Sequence, residues 1–487
     1  MSPSPIRSSK SGKLESAVRF VEESGKLTDK EVASALGRHG FDRLLAAMAI
    51  AAARSIPADR TPTLVPWAIQ AVRQLVEEAQ LGPKSPEMRA LTLRLVRMIR
   101  GEIEARGSYR LPDFEDPPAG TKEEATFSFL DAVRSGEVDA ADQRFQWIAR
   151  DLTREQATDL LLSAGLPKFT HRADTLIAPV ESLAQLTWVG WEHAPLLLRP
   201  VVRMQAAAVG SSEIYDQACH VVSARQLLKT AGRRAPGAIA LGERDPAAFF
   251  QLATEWAEAD GAGRLAVVAS ALATDHSVED VADAIATGGT LLFLQEGLRG
   301  GARRWTFPEA AAGAAIVRAS HSLRRMVKIA TPGQRILGVL LAGYAEPLRL
   351  RLRPGSPDCG WWLSPAAKLL EATQADAKAA PVQWRDALRE RSSNGLLPTL
   401  TAEMAGGASG LSAELMQSVI ARELSPLELI VDRTLHEGYV ATRSPHRWLH
   451  LWAGALSHCA WPAASEESLS DDFSSASVRP GSGPVSA

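Results

Sequence analysis

The feature that most constrains this chain is a missing one. No segment alternates apolar and polar residues with period two for more than a few positions. A half-buried strand requires that alternation, whereas an amphipathic helix needs apolar residues three and four apart. The helical pattern recurs along most of the sequence. Leu44 to Arg54 reads LLAAMAIAAAR, which suits a helix buried on all sides. Pro66 to Ala79 sets Ile69, Val72, Leu75 and Val76 on one face, with Pro66 suited to the first helical turn. Met88–Ala105, Glu123–Ser135, Val138–Arg150 and Arg154–Ala164 continue in the same style. The expected fold class is all-α, a multi-helix repeat bundle resembling an α-solenoid. One short stretch, LRLRLR at Leu348–Arg353, reads equally as a strand or as an exposed helix end.

Apolar residues make up 46% of the 487 and charged residues 23%, enough for a large core. Lys and Arg number 54 against 56 Asp and Glu, so no global charge recruits nucleic acid. Cys219, Cys359 and Cys459 are too dispersed for a disulfide framework or a CxxC knuckle. No apolar run reaches the length of a membrane span, and the first residues lack a secretory apolar core. A reducing cytoplasm fits this pattern. Residues 1–14 and the Ser-, Gly- and Pro-rich tail 463–487 are expected to be disordered, since neither can bury enough surface to offset its ordering entropy. Between them, residues 15–462 are expected to form a single helical-repeat domain, with a Pro- and acid-rich linker at 109–120.

A coarse repeat runs through that domain. A helix rich in small residues, a loop and a longer helix recur as Leu44–Arg54 with Pro66–Ala79, Asp159–Leu166 with His171–Thr187, and Val281–Leu294 with Phe307–Met326. Pro426–Tyr439 with Pro445–Trp461 makes a weaker fourth copy. The period far exceeds that of short helical repeats, so each unit would comprise several helices.

HGFDRLLAAMAIAAARSI, together with LLLSAGLPKFTHRADTLIAPVESLAQLTWVGWEHAPLLLRPVVRM, resembles a large helical domain of bacterial proteins. In many of them it precedes a Rieske iron–sulfur domain. It is more loosely similar to questin oxidase-like proteins, which are helical oxygenases of polyketide metabolism. The likeness spans Gly37 to Trp461 and is most specific at Lys168–Arg203, around Thr170-His171-Arg172 and Gly190-Trp191-Glu192-His193-Ala194. The resemblance implies a histidine opening the inner helix of each repeat, with these histidines converging where the units meet. His171 matches in the second unit and His446 in the fourth. The first unit has Pro66-Trp67 instead, and the third has Phe307-Pro308-Glu309 with His321 a dozen residues later. The cysteine and histidine pairs of a Rieske centre are absent from this sequence.

The candidate site residues follow from these positions. Glu192 and His193 precede Pro195, which suits the first turn of a helix over 195–206. There His193 would act as a general base, oriented by Glu192 at a helix mouth. The structural alternative is a hinge, with Gly190 making the turn and Trp188 and Trp191 wedged between helices. Pro200 should kink the helix that follows. His171, His446 and His450 are the candidate metal ligands. His171 and His446 occupy equivalent repeat positions, and His446 and His450 are four apart on one helix face. An aromatic-rich helix that closes the core explains the last two equally well.

Two basic stretches, Arg299–Trp305 and His321–Lys328, would suit an anionic ligand, although solvated helix faces account for most such runs. No Walker, dinucleotide-binding or nucleophile-elbow spacing occurs. The resemblance implies an oxidase or oxygenase acting on a small organic molecule. The missing histidines suit a non-catalytic helical scaffold or partner-binding protein instead. The expected partners are a small-molecule substrate or another protein, without nucleic acid or membrane, and the sequence specifies no cofactor.

Overall fold

A computed structural model describes residues 6–23, 27–55, 64–105, 111–112, 114, 121–210, 212–231, 239–274, 276–298, 305–353, 380–390, 396, 410–421 and 426–461. Every regular element among them is helical. No helix among the described residues is long and apolar enough to cross a membrane. The all-α expectation therefore stands.

Each of the four expected hairpins is a helix pair. They are α1 (Phe41–Arg54) with α2 (Leu64–Glu78), α3 (Arg154–Gly165) with α4 (Asp174–Val189), α5 (Val278–Leu298) with α6 (Phe307–Ile329), and α7 (Pro426–Ala441) with α8 (Trp448–Ala460). Local chemistry sets their starts. Thr153 and Gln156 form a capping box before α3, and Thr306 and Glu309 form one before α6. In α1 every residue from Leu44 to Ala53 is buried. The helix needs apolar residues all round because helices Ile6–Glu22, Asp29–His39 and Pro86–Ala105, together with α2 and α4, enclose it.

Four of these helices close a ring. α2 packs on α4, α4 on α6, α6 on α7, and α7 back on α2. Helices from four distant quarters of the chain thus surround one axis. In the first three pairs the second helix enters the ring. In the fourth the first helix, α7, enters it, while α8 lies behind, against α5 and α7. The order of the other units returns if Leu411–Ala421 is taken as the outer partner of α7. The fourth unit is therefore offset by one helix from the pairing expected from sequence.

Other expectations need correction. The first helix begins at Ile6, within the stretch 1–14 expected to be disordered. The helix expected over 195–206 is split into Ala194–Leu197 and Arg199–Ala207, with Pro200 in the first turn of the second piece. The proline does not kink one helix but starts another, where its missing N–H costs nothing. LRLRLR forms no strand. Leu348 and Leu350 give their carbonyls to the buried Arg264 guanidinium, and Gln295 clasps the backbone of Arg351 and Arg353. Residues 109–120 lie mostly outside the described residues. Within that stretch, Leu111 is buried, the Pro112 carbonyl accepts from Arg199, and Phe114 lies under the same guanidinium. The tail 463–487 lies outside the described residues.

Candidate functional site

The ring axis is polar. α2 directs Gln70 at α4, Gln74 at α7 and Trp67 across the ring at Arg318 of α6, a spacing of three and then four that keeps them on one face. α6 repeats the spacing with Arg318, His321 and Arg325, of which Arg318 and Arg325 reach the axis while His321 meets α5, α7 and α8. α4 contributes Asp174, Glu181 and Gln185, and α7 contributes Arg433 and Glu437. Arg318 donates to Asp174 Oδ1 at 2.7 Å, and its guanidinium sits 3.8 Å from the centre of the Trp67 ring. Arg325 bridges Glu181 of α4 and Glu437 of α7. Arg433 reaches Gln74 of α2 and pairs with Glu181 at 3.5 Å and Glu437 at 3.4 Å. Gln185 Nε2 donates to the Pro66 carbonyl at 3.1 Å. Three arginines and three carboxylates thus tie all four helices together at the centre.

The electrostatics follow from this pairing. Burial works against the Glu437 carboxylate, but Arg325 and then Arg433 outweigh it and pull its pKa down to about 2. Burial likewise opposes the charge on Arg325, yet Glu181 and Glu437 hold it above the ordinary arginine value. Arg433 is pushed down by burial and by Arg325. Glu437 keeps 35% of its side chain accessible while both arginines hold it, so the network opens onto accessible space at that residue.

Next to Glu437 is Gly438, which packs against two buried imidazoles. A Cβ built on it would lie 2.6 Å from His321 Cε1 and 3.0 Å from the His450 ring. The rings meet edge to face at 5.1 Å. Thr290 Oγ1 lies 3.2 Å from His321 Nε2 and 2.9 Å from His450 Nδ1, and Thr442 Oγ1 lies 3.2 Å from His450 Nε2. Thr290 has one hydroxyl hydrogen, and the Ala286 carbonyl is placed to accept it at 3.1 Å. With the hydrogen there, both imidazoles donate to Thr290, Thr442 donates to His450, and Nδ1 of His321 is left as an acceptor. Burial, then His450, lowers the His321 pKa well below the usual histidine value, and burial, then Arg324, does the same to His450. Both rings are neutral at physiological pH.

The residues singled out from sequence are not gathered in this way. Glu192 is exposed and His193 half-buried, in a short 3₁₀ turn between α4 and Ala194–Leu197. They do not project into the interior. The hinge around them is present: Gly190 has φ +114°, Trp188 Nε1 donates to Gln70 at 2.5 Å, and Trp191 Nε1 donates to the Leu152 carbonyl at 3.3 Å. His171 is exposed, with Nδ1 against Thr170 Oγ1 at 3.0 Å. His446 is half-buried and stacks on Phe250 at 4.4 Å, and burial lowers its pKa to about 4. His450 alone reaches the interior, and both its nitrogens engage threonines. The structure does not bring His171, His446 and His450 together as ligands. The group of metal-ligating atoms among the described residues is Glu428, Asp432 and His458, between α7 and α8.

The run HSLRRMVK carries His321 and the arginines beside it, but its charge density reads as a solvated helix face. Arg324 is in fact buried and donates to Asp283 Oδ1 at 2.6 Å, and Arg325 enters the ring. The available signal was the 318/321/325 spacing, which places three polar side chains on one face of a helix that is otherwise mostly apolar. Compared with models of protein families, with curated proteins and with solved structures, the chain matches none of them.

Proposed function

We propose that the ring axis binds a small organic molecule, and that an oxidase- or oxygenase-type conversion of that molecule is the activity. The observation that carries this reading is the neutral His321–His450 pair beside an Arg325–Glu437 contact that stays accessible. A neutral imidazole with an acceptor nitrogen takes a hydrogen bond or a proton from an acidic hydroxyl, and the adjacent arginines favour the resulting negative charge. A phenol or a related aromatic acid fits those groups. The oxidative reaction class comes from the sequence resemblance alone.

A panel of small phenols and aromatic acids, titrated against intrinsic tryptophan fluorescence in parallel with an oxygen electrode, tests this. The expected result is saturable binding that is lost in His321→Ala and kept in His171→Ala, with oxygen uptake only in the presence of the bound compound. Equal binding by His321→Ala, or no binding of any compound, would count against it. A second reading, a non-catalytic helical scaffold, draws support from the pairing of every charged group on the axis. It predicts that changes to the network reduce stability and nothing else.

A further inference from the structure

We infer that Glu428, Asp432 and His458 form a site for one divalent transition-metal cation, separate from the ring axis, that pins α7 to α8. Glu428 and Asp432 are four apart on α7 and share a face, which turns away from the face carrying Arg433 and Glu437. His458 comes from the last turns of α8. One ligand atom from each side chain lies within 4.8 Å of the other two. The three residues are only 1%, 0% and 2% exposed.

His458 Nδ1 lies 4.0 Å from Glu428 Oε1, the outer limit of an ion pair. Two ligand atoms on one tetrahedral zinc-type ion sit roughly 3.3 Å apart, so the three must draw together by up to about 1.5 Å to close on an ion. Ser418, on helix Leu411–Ala421, holds the far nitrogen: its Oγ lies 2.9 Å from His458 Nε2. Metal-bound histidines are typically held in this way, with one nitrogen fixed by a neighbour and the other turned to the ion. One imidazole and two carboxylates are a borderline-to-hard donor set, suited to Zn²⁺, Mn²⁺ or Fe²⁺ and not to Cu⁺. Cys459 takes no part, since its Sγ faces the Ala387 carbonyl. An ion there would fix the rotation of α7 and so the presentation of Arg433 and Glu437 to the axis.

The test uses the full chain, stripped with chelator, dialysed and titrated with Zn²⁺ and Mn²⁺ by calorimetry, with Co²⁺ as the visible-light probe. One equivalent should bind, with cobalt ligand-field bands and a raised unfolding temperature. Asp432→Asn and His458→Gln should abolish stoichiometric binding, Ser418→Ala should weaken it about tenfold, and His220→Gln, on an exposed face, should leave it unchanged. Failure of the wild-type chain to bind any of the three ions overturns the inference, as does equal binding by Asp432→Asn and His458→Gln. If either variant fails to fold, the wild-type cobalt spectrum and its change in Ser418→Ala decide the matter. Loss of the metal site would leave the His321 binding test standing, because the two sites share no residue.

Discussion

Arg325 is the residue on which the centre of the molecule turns. Its guanidinium joins Glu181 and Glu437 on two different helices, and of the two carboxylates only Glu437 keeps access to water. Truncation leaves two carboxylates facing Arg433 alone in a site where Glu181 is only 7% exposed. Arg325→Ala should therefore cost about 3–5 kcal/mol of folding stability, the range for breaking a buried ion pair from one side. Arg325→Lys should recover only part of that, because an ammonium cannot present two parallel donor pairs. Urea unfolding of the three proteins measures both. A loss below about 1 kcal/mol for Arg325→Ala would mean that the network is hydrated and contributes little, as exposed pairs do.

At the scale of elements, helix existence was legible in the sequence, but the way the helices meet was not. The spacing of Ile69, Val72, Leu75 and Val76 marks α2 as a helix with one apolar face whatever surrounds it. Nothing in that spacing says that Gln70 and Gln74, on the neighbouring face, meet α4 and α7, because those partners are more than a hundred residues away. The same limit explains the candidate site. His171, His193 and His446 stand out because they sit beside prolines and turns, yet turns run outside the core, and the structure leaves His171 exposed and the other two half-buried. His321 lies mid-helix among apolar residues and carries no local mark. Gly438 shows how tight the meeting of α6, α7 and α8 is. Its missing side chain lets His321 and His450 approach α7, and a methyl group there overlaps both rings. Gly438→Ala should cost about 1–3 kcal/mol as an overpacked contact, despite alanine's better helix propensity. It should also disturb the imidazole resonances in an NMR spectrum. A stabilised Gly438→Ala protein with unchanged histidine signals would show that the rings move aside freely.

For the whole molecule, the buried imidazoles set a direction for stability against pH. His321, 4% exposed, and His450, fully buried, have pKa values lowered well below 6.5 in the fold, and His446 is lowered to about 4. Their ordinary value returns on unfolding, so below pH 6.5 the unfolded chain binds protons that the folded chain refuses. Stability must then rise with pH through this window, and fall as pH drops from 6.5 towards the folded values. Each fully buried imidazole adds a slope of up to about 1.4 kcal/mol per pH unit. Arg324 and Arg325 face the pair and widen the window by repelling an imidazolium. Glu437 acts later. Its carboxylate, lowered to about 2, contributes stability that is present above its unfolded value of 4.5 and lost as pH falls from there towards 2. Acid unfolding should therefore proceed in two stages, histidine-driven from 6.5 downwards and carboxylate-driven below 4.5. Denaturant midpoints at pH 7.5, 6.5, 5.5 and 4.5 follow the first stage, and His321→Asn with His450→Asn should flatten it while leaving the second. If the double variant loses stability between pH 6.5 and 5 as steeply as the wild-type chain, the buried imidazoles do not govern the response, and the proton uptake lies elsewhere in the ring.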